Sequence, residues 1–164
     1  MDNKKLINLL SLFAVFLVIP LMLGVFFDGY TVVSKGVKTT APVEFSLFEF
    51  LNQRSVLLVF AFLFAVVLIL CILANIVYTI KITLAKVNGG ILRFYFAVII
   101  MISAVLTFMF TLIYCLKNST SGTDAALTYK VGGCEILMLV CGLVIGGLNL
   151  ICYILSTKKN KVKK

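Results

Sequence analysis

Residues 55–80 read SVLLVFAFLFAVVLILCILANIVYTI, 26 consecutive positions without a charge. A hydrocarbon core of ~30 Å needs roughly 20 helical residues, so this run is long enough to cross a membrane. A soluble helix would return polar residues every three or four positions along its exposed face. Here the run is apolar all round, and lipid is its natural solvent. Three further uncharged apolar stretches lie on either side of it: Leu6–Phe27, Phe94–Leu116 and Ile136–Leu155. Continuous runs of this kind read as helices, whereas barrel strands alternate in segments of about ten residues. The expected fold is therefore an all-α membrane protein, a single four-transmembrane-helix bundle across residues 1–164.

Composition agrees. Of the 164 residues, 62% are hydrophobic and 13% charged, with a mean hydropathy of +1.17. A soluble domain holds roughly 45–50% apolar and about 25% charged residues, which excludes a water-soluble globule. The absence of His and Trp, with six acidic residues in all, leaves little for acid–base or metal chemistry. No catalytic, cofactor-binding or metal-binding residue is identified, no cofactor is expected, and the chain does not read as an enzyme. Lys4 and Lys5 precede the first run, but its 22 residues exceed a signal-peptide core of about 7–15. Asp28-Gly29-Tyr30 offers no small-x-small cleavage site, so this run is expected to stay as the first helix. Pro20 within it should leave the Phe16 carbonyl without its usual partner and kink the helix.

Lysine and arginine placement sets orientation. With both termini cytoplasmic, the inner segments hold Lys4, Lys5, Lys81, Lys86, Arg93, Lys158, Lys159, Lys161, Lys163 and Lys164, ten of the fifteen basic residues. The outer loops hold Lys35, Lys38, Arg54, Lys117 and Lys130. The expected location is the cell membrane, multi-pass. The net charge of +9 is then explained by topology and by attraction of the basic tail 156–164 to anionic lipid, worth ~1 kcal/mol per basic residue near the surface. Nucleic acid is not an expected partner.

The first outer loop, 28–54, carries a β-prone stretch at Tyr30–Val33 and a candidate return strand at Val37–Thr40. Ser46-Leu47-Phe48-Glu49 spells a capping box and predicts a short helix over Ser46–Gln53. That greasy helix either lies in the headgroup zone, covers the bundle top, or binds a partner. Asn88-Gly89-Gly90 in the inner loop is a helix stop. In the second outer loop, Leu127–Val131 is β-prone and could join the first loop in a small extracellular sheet.

Within the spans, small residues allow close helix approach and polar ones hydrogen-bond. Gly142 and Gly146 form a GxxxG pattern whose face continues through Asn149 and Tyr153. Cys71, Asn75 and Thr79 form a stripe in the second span, and Ser103, Thr107 and Thr111 one in the third. Asn75 and Asn149 lie at matching depths, which predicts a hydrogen bond between them. These stripes read as helix packing; the other reading is a substrate path. No charged residue accompanies them in the spans, and coupled carriers normally require one. No CxxC motif exists. Cys115 and Cys134 both fall at the outer membrane edge, as two unbridged thiols or as a disulfide closing the second loop.

These elements together resemble the tetraspan, claudin-like class of small membrane proteins: inner termini, a longer first outer loop with β-prone and helical parts, and a short second one ending Tyr129-Lys130-Val131-Gly132-Gly133. The chain departs from claudins in having no Trp, and no Cys between residues 28 and 54. The expected function is a non-enzymatic scaffold or accessory subunit. It would bind another membrane protein or a second copy through the GxxxG face or the first outer loop. The alternative is a small oligomeric channel or carrier for an uncharged or small solute.

Overall fold

The computed structural model describes residues 3–24, 28–35, 42–53, 55–85, 91–119 and 126–161. Among the described residues three helices are long and apolar enough to cross a membrane: α3 (Val56–Ala85), α4 (Leu92–Asn118) and α5 (Gly133–Lys161). At 1.5 Å per residue they run ~40–45 Å, past both edges of a hydrocarbon core. The expected spans 94–116 and 136–155 thus sit inside longer helices, and 55–80 starts one residue before α3. The tail assigned to 156–164 continues α5 as far as Lys161.

The first apolar run is not one helix. It breaks into α1 (Asn3–Phe16) and α2 (Val18–Gly24), with a turn at Leu17. The break follows Phe16, whose carbonyl would have accepted from position 20 had that residue not been proline. Leu17 N–H still reaches the Phe13 carbonyl oxygen, at 3.2 Å. The apolar helical stretch here, Leu6–Leu21, is shorter than the other three.

α4 is the centre of the packing. α3 lies along one side of it and α5 along the other, and α1 and α2 rest on α5. Ring pairs fix the antiparallel registers: Phe64 stacks on Phe110 at 5.8 Å, Tyr78 meets Phe96 at 5.7 Å, and Phe94 meets Tyr153 at 5.5 Å. The inward residues of α3 are Leu58, Ala61, Ala65, Leu68, Ile72, Asn75 and Thr79. Their spacing alternates three and four, the period of a knobs-into-holes seam. On the other side of α3, Val56, Leu63, Leu70 and Val77 recur every seven residues and are at least half exposed, the side left to lipid.

A three-stranded sheet caps one end of the helices. β1 (Asp28–Lys35) is its centre, flanked by β2 (Val43–Ser46) and β3 (Ala126–Val131), all antiparallel. Pairing of the second loop with the first is as the sequence suggests. The return strand is different: β2 begins after Pro42, while the expected strand Val37–Thr40 lies outside the described residues, as does the Asn88-Gly89-Gly90 stop. Pro42 fits where it is, because a proline can open an edge strand but cannot donate within one.

Half of the capping box forms: Ser46 N–H donates to Glu49 Oε2 at 2.6 Å, while the Ser46 hydroxyl, rather than accepting from the Glu49 N–H, donates to the same oxygen at 3.1 Å. The helix that follows, Leu47–Gln53, is 3-10 rather than α. In that form residues i and i+3 eclipse, so Leu47 and Phe50 point inward together and are buried. The segment therefore lies over the bundle top, packed against α3. Phe50 presses so closely on β1 that a Cβ at Gly29 would fall 2.5 Å from its ring. Ser119, just past α4, locks the sheet to the helices: its hydroxyl donates to the Cys115 carbonyl at 2.8 Å and accepts from Tyr129 N–H at 3.0 Å.

Candidate functional site

The small-residue face of α5 is fully used inside the molecule. A Cβ at Gly142 would stand 2.6 Å from Ala104 Cβ, and one at Gly146 would overlap the Met101 side chain and lie 3.1 Å from the Ala97 carbonyl oxygen. Its continuation meets α4 too, through the Tyr153–Phe94 ring pair. The glycines let α4 and α5 approach; they are not an open surface for a partner.

The polar stripes face inward, and Thr107, Thr111 and Asn149 bond to carbonyls of their own helices. Thr107 donates to the Ser103 carbonyl at 2.8 Å and Thr111 to the Thr107 carbonyl at 3.1 Å. Ser103, Thr107 and Thr111 are all buried on α4, and their threonine hydroxyls are satisfied by their own helix. The expected Asn75–Asn149 bond is absent. Asn149 donates to the Ile145 carbonyl at 3.0 Å, and Asn75 Oδ1 is buried with no partner among the described residues. The reason is placement: α3 and α5 pack on different sides of α4, and approach one another through a long side chain, Leu68 toward Gly142.

Two charged residues, both assigned to loops by their sequence position, turn out to be buried. Arg93, in the first turn of α4, is 1% exposed. Its Nη1 donates to the Ser11 hydroxyl on α1 at 3.2 Å, and its Nε has no acceptor among the described residues. Glu135, in the first turn of α5, is 0% exposed, and neither carboxyl oxygen accepts a hydrogen bond there. The Thr111 hydroxyl lies beside it but is committed to the Thr107 carbonyl. The two charges stand near opposite ends of α4. Thr111 and Arg93 are 18 residues apart on that helix, ~27 Å, so Glu135 and Arg93 are no ion pair. Leu68, Ile100, Met138 and Ile145, all fully buried, fill the space between the two ends.

A sequence signal for both residues exists. The inward seam of α4 runs Thr111, Thr107, Ala104, Ile100, Ala97 at alternating fours and threes, and one further step of four reaches Arg93. On α5, Glu135 stands three residues before the buried Met138.

Beneath the sheet sits an aromatic cluster. Tyr30 from β1, 1% exposed, stacks on Phe45 at 4.8 Å and meets Tyr114 at 5.3 Å and Tyr129 at 6.1 Å. Burial, then the neighbouring Tyr114 hydroxyl, push the Tyr30 phenol well above its ordinary value. The neutral form is favoured in the fold, so Tyr30 adds stability that is whole below the unfolded value of about 10 and declines above it. In an alkaline absorbance titration, Tyr30→Phe should leave the folded protein's curve unchanged up to about pH 11. A lost phenolate step at lower pH would place Tyr30 in contact with water.

Cys115 and Cys134, near this cluster, are both buried and form no disulfide, and the Cys134 thiol points to Met138 Sδ at 3.8 Å. Among the described residues no cluster of three His, Cys, Asp or Glu side chains could hold a metal. The sequence matches no protein-family model and no curated protein.

Proposed function

We propose that this chain is a non-enzymatic scaffold or accessory subunit of the cell membrane. It engages another membrane protein through the cap built by β2 and the 3-10 helix. In this reading α1 and α2 together make a fourth crossing, both termini are cytoplasmic and the sheet is extracellular, in the layout of the tetraspan, claudin-like class. The basic bias of the segments at the opposite end supports that orientation.

The observation that carries the reading is where apolar surface remains beyond the helices. The glycine face of α5 is consumed by α4, whereas the cap presents Val43, Phe48 and Leu51, each about half exposed. These stand outside the long apolar helices, with the Phe48 ring 6.4 Å from Phe62 of α3, and exposed apolar patches of that kind mark interaction sites. The test is co-purification in mild detergent with a Phe48→Asp, Leu51→Asp double variant. Loss of a defined partner with an unchanged melting temperature is expected. Retention of that partner would refute the cap as the contact.

A second reading, the small channel or carrier, gains from Glu135 and Arg93, since intramembrane ionisable residues are functional by default. It ranks second because fully buried apolar side chains fill the interval between them. Solute flux in reconstituted vesicles that Glu135→Gln removes would reverse that ranking.

A further inference from the structure

The end of the bundle away from the sheet gathers buried polar side chains from every long helix and from α1. Asn75 and Thr79 face inward from α3, Arg93 from α4, and Asn149 and Cys152 from α5; Ser11 joins them from α1. The Cys152 thiol lies 3.8 Å from the Ser11 hydroxyl. Arg93 dominates the group, because a guanidinium keeps its charge at any physiological pH. Among the described residues no carboxylate pairs with it, and its Nε points to no acceptor. A permanent cation buried without a counter-charge is among the least favourable arrangements a protein interior can hold. In the same region Asn75 Oδ1 is an acceptor with no donor. The Tyr78–Phe96 register sets Asn75 about 9 Å along the axis from Arg93.

We propose that Arg93 and Asn75 form a binding site for a phosphate-type oxyanion. One ligand then answers both orphaned atoms. An anionic oxygen accepts from Arg93 Nε, a geometry guanidinium groups favour, and a hydroxyl on the same ligand donates to Asn75 Oδ1. Two hydrogen bonds of about 2.9 Å and one tetrahedral oxyanion are of the order of that axial offset. Hydrogen phosphate carries both groups, and so does a phospholipid with a hydroxylated headgroup such as phosphatidylglycerol. Basic pockets between membrane helices hold anionic headgroups by the same chemistry. Access is between α1 and α3, which touch sparsely.

The experiment is thermal unfolding of the purified full chain in neutral detergent, followed by circular dichroism. One arm adds sodium phosphate against sodium chloride at equal ionic strength; the other adds short-chain phosphatidylglycerol against phosphatidylcholine. A saturable rise of several degrees is expected in at least one arm, and which arm responds identifies the source. Arg93→Gln and Asn75→Leu should remove the rise. Arg93→Lys, which keeps the charge but loses Nε, should raise the half-saturating concentration at least about tenfold, and it supplies the reading should Arg93→Gln not fold. Replacing Lys158, Lys159 and Lys161 with Gln should leave the rise in place. No rise in either arm, a rise that survives Arg93→Gln, or one that disappears with the tail lysines would overturn the proposal.

Discussion

Gly146→Leu should prevent recovery of a folded protein, while Gly147→Leu, one residue on, should melt no lower than wild type. At position 146 even a Cβ overlaps Met101, and Ala97 meets it with a backbone carbonyl oxygen 3.1 Å away. Methionine can yield, being unbranched and flexible; a helix backbone cannot. Gly146→Ala is thus expected to cost about 1 kcal/mol, and the leucine variant about 3 kcal/mol or more, the upper range for overpacking. At position 147 no atom lies within 4 Å of an added Cβ. There leucine meets lipid and gains up to about 1 kcal/mol from helix propensity. Detergent melting curves and the monodisperse fraction on size exclusion give the comparison. If both variants behave alike, α4 and α5 do not pack by these glycines.

That pair of glycines also shows what sequence could and could not give. GxxxG announced a close approach, because between lipid-solvated helices packing rather than the hydrophobic effect drives association. It did not say whether the partner was another chain or the helix next door. The structure answers that with Ala97, Met101 and Ala104. The uncharged run 55–80, the Glu49 side chain's return to the Ser46 N–H and the break caused by Pro20 were legible because each depends on local chemistry alone. The inward stripes were legible as faces. Their bonding was not, since the threonine hydroxyls and Asn149 had carbonyls available one turn back on their own helices.

Arg93 and Glu135 were missed for a different reason. Each stands beside the first residue of an uncharged run, and a rule that ends a span at the first charge puts both in loops. Helices do not end there: α4 starts at Leu92 and α5 at Gly133, so each residue inherits the inward seam of its helix. A charge that falls on a seam is buried whatever its position relative to the apolar run. Uncharged spans therefore no longer speak against a transport role, although the packed axis still does.

Glu135→Met should stabilise the protein. The carboxyl is 0% exposed, has no hydrogen-bond partner among the described residues, and lies beside a threonine whose proton is already donated to Thr107. A buried polar group left unsatisfied costs about 1–3 kcal/mol, and methionine fills a similar volume with no polar atom. The melting temperature in detergent should rise by several degrees, and Glu135→Gln should fall between the two because its amide keeps donors and an acceptor to satisfy. Thr111→Val tests the neighbourhood. If the Thr111 hydroxyl serves its own helix, the change costs little in wild type and equally little in the Glu135→Met background. An energetic coupling above about 0.5 kcal/mol would mean that the two native side chains bond. Natural sequences depart from local stability rules mainly where a function requires it. A variant that melts higher but no longer recovers the partner or supports solute flux would locate that function at Glu135. One that melts lower would overturn the expectation and show that the buried carboxyl contributes to stability.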